Sequence, residues 1–227
     1  MFDKITWLGH SGILIESGKN IYFDPYNLVD GLPKADVIFI THPHYDHCSQ
    51  DDIAKISTPD TLIVATPDSL AKLPGRRSVL MAPGDSKVCA GLEVKAKAAY
   101  NIKKPYHPKS KRWVGFLVDL GGFRVYHAGD TDELPEMAGL EPDIAFLPVD
   151  DLYNFEPHAG SAAAHSMRAK RALPLHFGTV CGSRGDAAKF LAECQSKYGL
   201  PGEFYKKERA GSSHQSIPAV APMVSAA

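Results

Sequence analysis

Apolar positions along this chain fall into short runs set apart by glycine, asparagine and proline, which is the spacing of β-strands with occasional helices. Residues 4–8, 13–16 and 21–23 are three such runs, separated by Gly9, Ser11-Gly12 and Gly18-Lys19-Asn20, and their close spacing predicts an antiparallel meander. Val37-Ile38-Phe39-Ile40 is apolar at every position, as in a strand buried on both faces. A helix is expected after it, with Ser49 as N-cap and Asp52 at the capping-box position. The order then repeats. Residues 62–65 read as a strand, and Thr66-Pro67 opens a short helix with proline at its first position. Further strands are expected over 79–81, 87–89, 92–98 and 144–147, with 114–120 and 123–127 joined at Gly121-Gly122 in a hairpin. A helix over 162–171 leads into a short strand over 172–175. Ala187, Phe190, Leu191, Cys194 and Tyr198 recur at helical spacing in a last helix, which Gly199 and Pro201 end. Strand-rich halves that each end in helices predict a layered α/β arrangement of sheets covered by helices.

Composition narrows the picture. The 227 residues, 44% of them hydrophobic, support one substantial core, so a single domain is expected over 1–210, with a Ser/Ala/Pro-rich tail over 211–227. A net charge of −1 disfavours a nucleic-acid partner, and the basic run Lys103, Lys104, Lys109, Lys111 and Arg112 reads as a solvated loop. Cys48, Cys89, Cys181 and Cys194 form no CxxC pair and read as free thiols in a reducing compartment. The N-terminus lacks a secretory pattern, and no apolar stretch approaches the roughly 20 residues of a membrane span. A cytoplasmic protein without a membrane partner is expected, and a homo-oligomer stays open.

The chemistry concentrates in Thr41-His42-Pro43-His44-Tyr45-Asp46-His47, directly after a buried strand. Alternate side chains of an extended loop project to one side, so His42 and His44 can reach one metal ion together. Asp46 and His47 follow where the chain turns toward the helix and can serve a second ion. Imidazole nitrogen and carboxylate oxygen suit Zn²⁺ and related divalent ions.

The pattern His-x-His-x-Asp-His resembles the signature of the metallo-β-lactamase superfamily. The resemblance implies a four-layer αββα sandwich with metals at one edge of two facing sheets. It also implies that Asp24 in Phe23-Asp24-Pro25 braces the site, that Asp130 in His127-Ala128-Gly129-Asp130-Thr131 bridges two metals, and that His176 in Pro174-Leu175-His176-Phe177-Gly178 is the last histidine ligand. With Trp7-Leu8-Gly9-His10-Ser11 and Tyr126-His127-Ala128-Gly129-Asp130-Thr131, the chain is most similar to a subgroup of metal-dependent hydrolases related to the ascorbate-6-phosphate lactonases. One departure stands out. Many members carry a third histidine for the first metal midway along the chain, where this sequence has Tyr100 and Asn101; His107, a few residues later, is the candidate substitute or a substrate contact. Asp150 and Asp151 are two extra carboxylates that either line the pocket or face water, the second reading being slightly favoured. His10 either approaches the site from the first hairpin or is a hydrogen-bonded structural residue, His127 is read as supporting the site rather than as a ligand, and His158, His165 and His214 are read as incidental.

The resulting expectation is a hydrolase that holds one or two divalent ions, Zn²⁺ first with Mn²⁺ or Fe as alternatives. Asp46 would bind metal and orient a metal-activated water that attacks a small ester, lactone or phosphate-bearing substrate. The competing readings are a phosphodiesterase or nuclease on the same fold, redox chemistry with iron, and a non-catalytic metal-binding protein.

Overall fold

The computed structural model describes residues 1–211. Of the tail expected from 211 onward, only Gly211 lies among them. Twelve strands form two six-stranded sheets. The first contains β1 (Ile5–Gly9), β2 (Gly12–Glu16), β3 (Asn20–Phe23), β4 (Val37–Ile40), β5 (Leu62–Ala65) and β6 (Ser78–Leu80), neighbours in that order. The second contains β7 (Ser86–Cys89), β8 (Leu92–Ala98), β9 (Val114–Asp119), β10 (Arg124–His127), β11 (Ile144–Pro148) and β12 (Ala172–Leu175), again side by side in chain order. The helices are α1 (Gln50–Ile56), α2 (Pro67–Ala71), α3 (Pro157–Ser166) and α4 (Arg184–Tyr198).

Strands joined by tight turns pair antiparallel, and those joined by longer connections pair parallel. Thus β1, β2 and β3 form the meander, while β3 through β6 run parallel. In the second sheet β7 through β10 alternate in direction, and β10, β11 and β12 run parallel. Two antiparallel steps restore a strand's direction. The carboxyl ends of β1, β3 and β4 therefore share one edge of the first sheet, and those of β8, β10, β11 and β12 share one edge of the second.

The apolar run of β4 is explained by this layering. Val37 and Phe39 join the core between the sheets, with Phe23, Phe116 and Tyr126, whereas Ile38 and Ile40 point the other way, onto Ile53 and Ile56 of α1. Each such buried side chain is worth about 1.5–3 kcal/mol. On the far side, α3 and α4 pack on each other and on β11 and β12, which completes four layers. Among the described residues no helix is long and apolar enough to cross a membrane.

Two local expectations are corrected. The helix expected over 162–171 is α3, which starts at Pro157 behind an extended Glu156 and stops at Ser166, because Arg168 has φ 55°, outside helical geometry. Its alanine run marked the middle of the helix rather than its start. The reciprocal capping box is absent from α1 and present at α4, where Ser183 and Asp186 exchange bonds. Ser49 does cap α1, accepting from the Asp52 N–H at 3.3 Å. The Asp52 carboxylate instead accepts from the backbone N–H groups of Asn27 (2.7 Å) and Leu28 (3.1 Å), from the Ser49 hydroxyl and from Lys55. It thereby ties the loop after β3 to the helix after β4.

Burial opposes ionisation of Asp52, but the bonds from Ser49, Lys55, Leu28 and Asn27 outweigh it and hold its pKa below the ordinary carboxylate value. A carboxyl lowered by folding contributes fully above its unfolded pKa and loses that contribution as pH falls through the folded one. Asp52→Ala is expected to lower stability by about 1–3 kcal/mol near neutrality, because two backbone donors lose their acceptor. The gap between wild type and variant in urea unfolding should narrow at acid pH; a gap that stays constant would show that the charge of Asp52 is not what stabilises the loop.

Candidate metal centre

Nearly every chemically active side chain identified above follows the carboxyl end of a strand on the shared edge: His10 after β1, Asp24 after β3, residues 41–47 after β4, Asn101 after β8, Asp130 after β10, Asp150 after β11 and His176 after β12. In parallel sheets such ends are where loops converge on a ligand. Here they bring together two groups of donors. His42, His44, His107 and Asp130 form one, and His10, Asp46, His47 and His176 form the other; within each group the potential ligand atoms lie within 4.8 Å of one another.

Asp130 lies between the two. Its Oδ2 is 3.1 Å from His107 Nε2, 3.1 Å from His176 Nε2 and 3.9 Å from His42 Nε2, and its Oδ1 is 3.3 Å from His47 Nε2. Asp46 Oδ2 is 3.0 Å from His10 Nε2 and 3.8 Å from both His47 Nε2 and His176 Nε2. Gly129 shapes the approach: it has φ 65°, and a Cβ there would come within 2.9 Å of the Thr41 Cβ.

Four of the imidazoles share one mode of support. His47 Nδ1 is 2.7 Å from Asp24 Oδ2, His176 Nδ1 is 2.9 Å from Asp150 Oδ2, His107 Nδ1 is 2.8 Å from Asn101 Oδ1, and His42 Nδ1 is 3.0 Å from Thr41 Oγ1. In each case Nδ1 is engaged by a brace and Nε2 is turned toward Asp130. An acceptor on Nδ1 fixes the tautomer and leaves the Nε2 lone pair available to an electrophile. Asp24 also accepts from the Thr41 N–H (2.9 Å) and hydroxyl (2.6 Å), so one carboxylate holds both ends of the 41–47 loop.

Several expectations change here. Neither Tyr100 nor Asn101 takes the place of a third histidine; His107 does. The Asn101 N–H donates to the His107 carbonyl (2.7 Å) and the His107 N–H returns to Asn101 Oδ1 (3.1 Å), so residues 102–106 form a closed excursion that delivers His107 beside His42 and His44. Asn101 is the brace, held in turn by Asp132 and the Tyr153 carbonyl. The Tyr100 hydroxyl points away, to Glu136 and Lys109. Asp150, expected to face water, is buried against His176 and accepts from Asn154 and the Tyr153 N–H; only Asp151 is exposed. Its signal was close to the one that marks residues 41–47: a polar residue two positions past the end of a buried strand.

Lys104 is also no solvated side chain, since its ammonium donates to the carbonyls of Asp151 and Asn154. His127 belongs to neither group; its Nε2 bonds the Ser11 carbonyl at 2.9 Å and its ring stacks on Phe23. Trp113, unremarked in the sequence, and Cys181, read there only as a free thiol, touch the site. The indole lies 4.9 Å from the His42 ring and 4.8 Å from the His44 ring, and the thiol is 3.1 Å from His176 Nδ1.

Known proteins share this architecture. Residues 4–176 match the family described as the Beta-lactamase superfamily domain. A UPF0173 metal-dependent hydrolase of Thermus thermophilus is 30% identical over 89% of this chain and 96% of its own, and one of Bacillus velezensis is 31% identical over 92% and 98%. The chain belongs to the UPF0173 metal-dependent hydrolase family of the beta-lactamase superfamily. A solved protein of Parabacteroides distasonis, assigned to the metal-dependent hydrolases, is 30% identical with a TM-score of 0.79 over 89% of this chain and 92% of its own. A metallo hydrolase of Ignicoccus hospitalis, 22% identical with a TM-score of 0.69 over 93% and 95%, shares the fold.

The donor set of this UPF0173 member fits divalent cations on its own electrostatics. Among the described residues His47 Nε2, His176 Nε2 and Asp130 Oδ1 are buried without a hydrogen-bond partner, and they face one another. Burial would lower the pKa of His47, but the carboxylates of Asp130, Asp46 and Asp24 raise it to about 10; His176 is likewise raised, chiefly by Asp130 against the cost of burial. Asp46 and Asp130 are held below the ordinary range despite burial, Asp46 chiefly by His47 and Asp130 chiefly by His176. Burial lowers His42, and it lowers His44 to about 4, which leaves both neutral as ligands must be. The field at the centre thus draws positive charge, and the unpartnered lone pairs are aimed at it.

The His107 brace is testable. Asn101→Leu is expected to weaken divalent-ion binding by the group of His42, His44, His107 and Asp130 by about 10–100-fold in chelator competition while leaving binding by the group of Asp46, His47 and His176 in place. Equal weakening at both groups, or at neither, would show that Asn101 does not orient His107.

Proposed function

We propose that this protein is a hydrolase that cleaves small esters or lactones with water activated at the two His/Asp groups. The observation that carries the reading is that Asp130, a member of the first donor group, also stands 3.3 Å from His47 Nε2 and 3.1 Å from His176 Nε2 of the second, with the unpartnered atoms of all three converging. His42, His44, His107 and Asp130 would hold one divalent ion, and Asp46, His47, His176 and Asp130 a second. Nitrogen-rich sites of this kind suit Zn²⁺ first, with Mn²⁺ or Fe as alternatives. Such an ion supplies an acidified water and an electrophile for the oxygen that gains charge.

The chain's own residues do the rest. Asp46, kept ionised and fixed by His10, accepts and orients the hydrogen of the attacking water. Trp113 covers the His42 and His44 rings on one side and limits access of bulk water. Among the described residues no Lys or Arg is paired with Asp46, Asp130 or Asp150, which disfavours a polyanionic substrate such as RNA. Free thiols fit a reducing, cytoplasmic setting. The lactonase resemblance of the Trp7–Ser11 and Tyr126–Thr131 motifs supports the ester or lactone class over the phosphodiesters.

The test is turnover by protein loaded separately with Zn²⁺, Mn²⁺ or Fe²⁺, on a panel of esters, lactones and phosphodiesters. Metal-dependent hydrolysis of an ester or lactone is expected, falling about a hundredfold or more in Asp46→Ala with the fold retained. Salt-sensitive cleavage of RNA or DNA with inert esters would replace this reading by the nuclease one, and full metal loading with no turnover by the non-catalytic one.

A further inference from the structure

The metal centre is polar and buried, yet its surroundings are apolar and open. Tyr45, Ile102, Leu152 and Tyr106 are 60%, 60%, 55% and 44% exposed; of the other large apolar side chains exposed among the described residues there are only Met1, Leu80 and Val88. All four lie on the segments that carry site residues. Tyr45 stands between His44 and Asp46, Ile102 and Tyr106 belong to the excursion closed by Asn101 and His107, and Leu152 follows Asp150 by two residues.

Ring contacts tie Tyr45 and Tyr106 to the centre. Tyr45 packs edge-on against Tyr26 at 5.7 Å, and Tyr26 stands 6.1 Å from the His10 ring. Likewise, Tyr106 packs edge-on against Tyr153 at 4.7 Å, and Tyr153 stands 6.4 Å from the His176 ring. The His10 and His176 rings are themselves 3.9 Å apart, so the two tyrosine pairs adjoin the same part of the centre. Exposed apolar side chains gathered at one place mark a surface that is covered in function. Cations on these segments are few. The ammonium of Lys104 is engaged by backbone carbonyls and that of Lys72 by the Pro43 carbonyl, which leaves Lys103 as the free one among the described residues of these segments.

We infer that these exposed side chains form a rim that binds the non-reacting part of the substrate, and that this part is an alkyl or aryl group rather than a phosphate or a sugar. The inference rests on the hydrolase reading for the reacting head group. The aliphatic side chains of Ile102 and Leu152 decide between apolar and sugar ligands, since they offer no hydrogen bond to a hydroxyl. A head group held at the centre would place its tail between the Tyr26–Tyr45 and Tyr106–Tyr153 pairs.

The test separates binding from turnover. Linear alkyl hydroxamates of four to eight carbons are titrated by calorimetry into Zn²⁺-loaded protein, and the matching esters and lactones are assayed. Affinity is expected to rise roughly twofold to fourfold per methylene. In the Ile102→Ser/Leu152→Ser double variant, whose replaced side chains are exposed and outside the core, the gain should shrink to less than about twofold per methylene. Affinity that is flat in chain length, or polyhydroxylated hydroxamates binding more tightly than alkyl ones, would overturn the inference. Chain-length-dependent binding without turnover of any ester or lactone would uphold the rim and overturn the hydrolytic reading.

Discussion

The structure depends on a single electrostatic constraint: Asp130 is a buried carboxylate surrounded by imidazoles. Removing an isolated carboxylate from water costs several kcal/mol, and only close opposite charge or a cation offsets it. His42, His47, His107 and His176 all bring Nε2 within 3.9 Å of it. They come from three separate parts of the chain, so satisfying one carboxylate requires β4, the loop after β8, β10 and β12 to end at the same edge.

The bracing of those imidazoles carries the constraint outward. Asp24, Asp150, Asn101 and Thr41 each engage an Nδ1, and each is itself fixed: Asp24 and Asp150 accept from the Thr41 N–H and the Asn154 amide, the Asn101 amide donates to Asp132, and the Thr41 hydroxyl donates to Asp24. The two groups differ in kind. Carboxylates brace His47 and His176, whereas an amide and a hydroxyl brace His107 and His42. A carboxylate makes the imidazole it holds a stronger donor, so the group containing Asp46 is the more electron-rich half of the centre. Around this polar interior the exposed tyrosines and aliphatic residues form a different environment, suited to apolar contact.

Much of this was legible in the order of residues. Strand positions followed from runs such as Leu92 to Ala98, because period and turn residues are local properties. The same holds for the cluster at 42–47, whose ligand-type residues are adjacent in sequence, and for α4, whose periodicity and Gly199 stop are local signals. Residues whose roles depend on a distant partner were read less well. Asp52 stands at a capping-box position yet bonds Asn27 and Leu28, and Asp150 looks like a surface carboxylate until His176 is placed over it.

The sequence by itself determined the layered α/β class, the position of the ligand-rich loop after β4 and the kind of donors it offers, since hydrophobic period and side-chain chemistry need no knowledge of the rest of the fold. Only the tertiary structure decided that His107 completes the first group and that Asn101 orients it. Spacing along the chain measures contour length, whereas a metal-sized cluster is defined by distance in space. The hydrogen bonds that close residues 102–106 into a loop are what convert one into the other.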